Sequence, residues 1–203
     1  MTSKESSQKK ELTEEEVKEM MNIITDEDVN IPPLQFRHPI VDWEIHSEGE
    51  RKFWKIIRIG GSTEQYRLFS DMLRSFDRDD LDTLWRLVQE RFKSKSPSEE
   101  KEMELWVELK RLYEPTSIDE LWDSQKWIHQ RVFRWKLYDT CGAHHVYTED
   151  GIDIYMLVEK EYPLSAGVMI LMLLDKLTVD EDSEMARNLL QKIYKQANRP
   201  RQQ

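Results

Sequence analysis

The stretch Asp139-Thr140-Cys141-Gly142-Ala143 is the first place where this chain could do chemistry. Retroviral-type aspartic proteases carry Asp-Thr-Gly-Ala, a tight turn that aims one carboxylate at its twin. Here Cys141 stands between Thr140 and Gly142, which shifts the turn and breaks the spacing. The stretch therefore reads as a turn that ends a strand. Cys141, His144 and His145 raise a second chemistry, a metal site or a Cys–His nucleophile. Zinc wants four ligands, or three and a water, and no second Cys/His cluster completes the set. Neighbouring residues of a strand point to opposite faces, so His144 and His145 do not easily both reach Cys141. A packed thiol and a partly exposed imidazole are expected instead. His38, His46 and His129 stand alone.

Two further patterns fail on spacing. Asp77-Arg78-Asp79-Asp80-Leu81-Asp82 starts like a calcium loop, but Leu81 and Asp82 occupy the places that need an oxygen ligand and a glycine. Acidic residues at a helix start complement its dipole, which accounts for them. Gly60-Gly61-Ser62 is followed by no Gly-Lys-Ser/Thr and is no phosphate loop. The remaining candidate is a surface. Arg131, Arg134 and Lys136 lie among Trp127, Phe133 and Trp135 on one long strand, with Lys52, Lys55 and Arg58 on an earlier hairpin. Aromatic and basic groups interleaved on a sheet bind single-stranded nucleic acid by stacking. The plainer alternative is a half-buried sheet with its polar face in water.

The elements that must position these residues are set by hydrophobic period. Residues 1–12 are polar and read as a disordered arm. Residues 13–39 hold a short helix and a linker. Thr13 and Glu16 make a capping box for Val17, Met20, Met21 and Ile24, and Pro32, Pro33 and Pro39 keep the linker out of regular structure. A single domain is expected over 40–197, with 198–203 a loose tail. Val41, Trp43 and Ile45 alternate with polar residues as a strand, Phe53–Ile59 is a second, and Gln65–Leu68 a short third. The period then becomes helical. Ser70 caps a helix to Phe76, and Asp77 or Asp79 caps one carrying Leu81, Leu84, Trp85, Val88 and Phe92. A third presents Met103, Trp106, Leu109, Leu112 and Tyr113 on one face, and Ser117–Asp123 adds a turn or two. Strands return over Trp127–Tyr138, His145–Tyr147 and Ile152–Val158, the last two joined at Asp150-Gly151. A nearly all-apolar helix over Ser165–Leu177 should lie buried, and Ser183–Gln196 forms the last, amphipathic one. Strand groups, each followed by helices, predict an α+β fold: antiparallel hairpins or meanders packed as one domain.

Composition limits the function. Of 203 residues, 40 are acidic and 30 basic, giving a net charge of −10, which disfavours general nucleic-acid binding. A single cysteine rules out an internal disulfide and weakly favours a reducing compartment. The longest apolar run, Val168–Leu174, is far below the roughly 20 residues of a membrane span, and the N-terminus has no apolar signal core. These point to a cytoplasmic protein, with the nucleus left open, that does not contact membranes.

A set of short stretches in fixed order resembles a domain found in plant copia-type retrotransposon polyproteins and proteins derived from them. They are Pro39-Ile40-Val41-Asp42-Trp43-Glu44-Ile45, Lys55-Ile56-Ile57-Arg58, Phe76-Asp77-Arg78-Asp79-Asp80-Leu81, Leu84-Trp85-Arg86-Leu87-Val88 and Leu105-Trp106. Cys141-Gly142-Ala143-His144, Met156-Leu157-Val158-Glu159-Lys160, Tyr162-Pro163-Leu164 and Glu184-Met185-Ala186 continue the series. The turn at Cys141, Gly142 and His144 is among the carrying residues. The family usually shows an Ala-Asp-Gly-Ser type turn at Ile59–Ser62 and Val at Ala143, both mild departures. The likeness covers about residues 31–197 and implies origin in a retroelement. The chain has no Cys-Cys-His-Cys knuckle and no Tyr-x-Asp-Asp polymerase motif, so no catalytic residue carries over. The expectation is a non-catalytic interaction or assembly module with a protein partner or a second copy, needing no cofactor and no small-molecule substrate. The alternative is an accessory nucleic-acid-binding domain using Arg131, Arg134, Lys136, Trp127 and Trp135.

Overall fold

The computed structural model describes residues 38–117, 119–124, 132–175 and 177–199. The expected arm, short helix and most of the linker lie outside these residues, as do Trp127 and Arg131 and the end of the tail.

The fold is α+β. Strands β1 (Ile40–Glu48), β2 (Arg51–Arg58) and β3 (Thr63–Tyr66) form one antiparallel meander, and β4 (Val132–Tyr138), β5 (Ala143–Thr148) and β6 (Asp153–Leu157) form another. Between them run helices α1 (Phe69–Ser75), α2 (Arg78–Phe92), α3 (Glu100–Tyr113) and α4 (Glu120–Ser124). After the second meander come α5 (Ala166–Asp175) and α6 (Glu184–Ala197). Caps are local: Asp77 accepts from the Asp80 amide at 2.8 Å, Ser183 from the Ala186 amide at 3.1 Å, and Glu99 with Glu102 forms a capping box on α3. Helix α1 departs from expectation. It starts early, directly after Leu68, with no side-chain cap from Ser70.

The second meander is the wall between two cores. Tyr138, Ala143, Tyr155 and Leu157 on one face join the first sheet and α1–α3, packing with Trp43, Trp54, Ile56 and Phe76. Trp135, Leu137, Val146, Ile154 and Met156 on the other face lie beneath α5 and α6. A sheet covered on both faces needs apolar residues on both, which explains the unbroken run Ile154-Tyr155-Met156-Leu157.

Period-two reading fails at the same point of each meander. A bulge falls between Ile40 and Asp42 in β1, and another between Val132 and Arg134 in β4. A bulge places an extra residue on one strand and turns the local chain. Ile40 and Trp43 are therefore buried while Val41 is 45% exposed, and Val132 and Trp135 are buried while Phe133 is 59% exposed. Helix α3 departs in phase. Its buried stripe is Leu105, Leu109 and Leu112, which turns Met103 outward and leaves Trp106 half-exposed.

One buried ion pair joins the first sheet to α2. Arg58 donates to both carboxylate oxygens of Asp80, at 2.7 and 2.8 Å, and to Glu64 at 3.1 and 3.2 Å. Tyr162 bridges the second sheet to α3, its hydroxyl accepting from the Leu157 amide and donating to the Leu112 carbonyl, both at 2.7 Å.

Candidate functional site

The turn Asp139–Gly142 joins β4 to β5 and closes on the joint between α1 and α2. Thr140 donates to the Phe76 carbonyl at 2.9 Å, the Cys141 thiol to the Leu73 carbonyl at 3.4 Å, and Arg78 to the Cys141 carbonyl at 3.0 Å. Arg78 also pairs with Glu159 and with Asp82. Cys141 is wholly buried, and burial pushes its thiol pKa up to about 11, which leaves it in the unreactive protonated form. One oxygen of Asp139 is buried without a hydrogen-bond partner among the described residues. The turn is a clasp between the two halves. Gly142 has φ +64 and its backbone bonds to Tyr138 and Val158. An added Cβ would meet a Val158 methyl at an ordinary 3.6 Å, so the left-handed backbone sets the penalty. Gly142→Ala is expected to lower stability by about 1–2 kcal/mol in urea denaturation.

His144 and His145 do point to opposite faces, and neither bonds to Cys141. His144 is buried against Trp135, whose indole donates to its Nδ1 at 3.0 Å, and desolvation lowers its pKa to about 3. His145 meets Asp153 through Nε2 at 2.5 Å and stacks on Tyr155 at 4.3 Å. Glu108 on α3 lies close enough to feel the Asp153 charge, and burial raises its pKa to about 7. Tyr155 is pushed well above its usual range, chiefly by burial and then by the same acidic neighbours. A His–Asp pair beside a raised carboxyl has the parts of an acid–base site. Sequence spacing alone does not reveal it, because Glu108 comes from another element. Surface hollows of about 310 to 460 Å³ among the described residues are lined by other side chains, on the outer face of α3, beside the β1–β2 turn, along α6 and between α2 and Trp106. Beside His144 there is a void of about 10 Å³.

Among the described residues, Arg134, Trp135 and Lys136 do not share one open stacking face. Trp135 is wholly buried in the core under α5 and α6, so its ring offers no face to a base. Lys136 pairs with Asp180 at 3.2 Å, where the segment after α5 binds the edge of β4 through Thr178. Arg134 is exposed next to exposed Phe133, because the bulge turns both outward. On the first hairpin, Lys52 pairs with Glu99, Lys55 with Glu44, and Arg58 is buried.

A different surface is apolar and open. The near-continuous apolar sequence of α5 predicts a buried helix, yet Ile170 is 48% and Leu174 71% exposed. Val168, Met169 and Met172 fill the core side, and one layer of sheet cannot cover a helix on every side. On α6, Leu190 is 36% and Tyr194 61% exposed. Helical geometry puts these two opposite Met185 and Lys192, which border Val158, and so on the flank toward α5. Both helices therefore carry exposed apolar side chains. Among the described residues, no helix is long and apolar enough to cross a membrane. Comparison with family models, with curated proteins and with solved structures finds no match to this chain.

Proposed function

We propose that the chain is a non-catalytic assembly module of a copia-type retroelement polyprotein, acting through protein contacts. The carrying observation is the open apolar surface on α5 and α6, with Ile170, Leu174, Leu190 and Tyr194 all exposed. Large apolar side chains left exposed on neighbouring helices are the kind of surface that protein contacts cover. The retroelement assignment rests on the ordered series of stretches that resemble that family, from Pro39 to Ala186. The non-catalytic reading rests on the broken spacing of the Asp139–Ala143 turn and on the clasp having buried its thiol.

Light scattering on the full chain, at low and high salt, tests this. Apolar contact is not screened by salt, so a species larger than the 24.5 kDa monomer should persist at high salt. Monomer at every concentration up to about 200 µM would remove the assembly reading.

A further inference from the structure

We infer that a second copy of this chain covers the α5–α6 face, in a two-fold pairing that sets α5 against α5. The inference rests on the assembly reading and names its partner and surface. Charge selects the occupant. The chain is 34% charged with a net charge of −10, so two copies repel across most of their surface. From Tyr162 to Leu174 there is no Asp, Glu, Lys or Arg, and this stretch contains nearly all of α5. Two copies therefore meet here without bringing like charges together.

Shape agrees with symmetry. A two-fold contact uses the same patch on both partners, so the patch must complement itself. An apolar helix whose one charged residue is its last, Asp175, does so in antiparallel register: Ile170 and Leu174 of one copy lie along those of the other, with Leu190 and Tyr194 at the flanks. The four side chains expose roughly 400 Å² per copy, the size of the largest apolar patch on many monomers. Pairing buries about 800 Å² from these residues, and the rim brings it toward the low end of specific interfaces. The dimer should accordingly dissociate in the micromolar range.

The test is sedimentation equilibrium on the full chain with the double substitution Ile170→Glu and Leu174→Glu, beside Met103→Glu on the outer face of α3. Both sites are exposed, so the fold is retained, which unchanged urea midpoints would verify. The α5 variant should weaken dimerisation at least about 100-fold and the α3 variant should not. Cross-linking reads the symmetry directly. Cys141 is buried, so Leu174→Cys supplies the accessible thiol. Mild oxidation should yield a covalent dimer from Leu174→Cys and none from Met103→Cys. A dimer that survives the α5 substitutions, with no cross-link at Leu174, overturns this inference and leaves assembly standing through another face. A wild-type chain that stays monomeric overturns both.

Discussion

Asp80→Ala is expected to lower stability by about 3–5 kcal/mol, the cost of leaving a buried charge without its partner. Arg58 and Asp80 are 4% and 5% exposed, and both oxygens of Asp80 are engaged by the guanidinium. These hydrogen bonds raise the Arg58 pKa above its ordinary value, and a guanidinium keeps its proton even without an acidic partner, so Arg58 stays charged when Asp80 is removed. Glu64 and the His38 carbonyl still hold the guanidinium, which places the loss toward the lower end of the range. Asp80 also sits in the first turn of α2 and complements its dipole, which adds about a few tenths of a kcal/mol. Removing both charges gives the opposite result. The double variant Arg58→Met with Asp80→Leu should recover most of the loss, since a buried pair is often replaced by apolar residues at little cost. Urea denaturation of the three chains checks this. A loss below about 1 kcal/mol for Asp80→Ala would mean that water reaches the pair in solution.

The second large effect is hidden in the wild type and exposed by Glu108→Gln. In that variant, stability should fall by about 3 kcal/mol between pH 7 and pH 4. The cause is His144, whose pKa is near 3 in the fold and about 6.5 when unfolded. Below pH 6.5 the unfolded chain takes up a proton that the folded chain refuses, so stability drains as pH falls toward 3. Charging His144 would strip Nδ1 of the Trp135 donor in a buried site that also feels Lys192 and His145. Glu108 works in the other direction. Its folded pKa, about 7, lies above the ordinary 4.5, so it costs stability above pH 7 and the cost fades as pH falls toward 4.5. The two changes are similar in size and oppose each other, so these two groups should nearly cancel in wild type over that range. Glu108→Gln should also stabilise the chain at pH 8 by about 2–3 kcal/mol and bring no gain at pH 4.5. Urea midpoints across pH, wild type against variant, read the difference directly. Parallel profiles would refute the assignment of Glu108.

Much of the architecture is legible in the sequence because the relevant signals are local. Asp77 and Ser183 do cap α2 and α6, and Asp150-Gly151 does turn β5 into β6. Two strand groups followed by helices correctly predict α+β with antiparallel meanders. What fails is set by partners distant in sequence. A bulge cannot be seen in alternation, so Val41 and Phe133 are read as buried when they face outward. The stripe of α3 is out of phase because the core selects Leu105 over Met103, although both fit a helical period. Apolar residues all round α5 imply burial only if enough structure surrounds the helix, and here one side is left open.

The candidate sites divide the same way. Local spacing correctly puts the two histidines on opposite faces. It cannot show that Cys141, Gly142 and Thr140 form a clasp on α1 and α2, because Leu73, Phe76 and Arg78 are more than 60 residues away in the chain. Nor can it distinguish an exposed tryptophan from a buried one: Trp135 looks the same in sequence whether it stacks on a base or fills a core.

The shared wall has a consequence for how this chain comes apart. Each strand of the second meander contributes residues to both cores, so neither core retains a complete lining once the other opens. The two cannot behave as separate melting units joined by a hinge. Damage under α5 and α6 is transmitted through β4–β6 to the first sheet, and the clasp at Cys141 reinforces that link. The part of the chain from β1 to α6 is built to unfold in one cooperative step, with tryptophans in both cores reporting the same event.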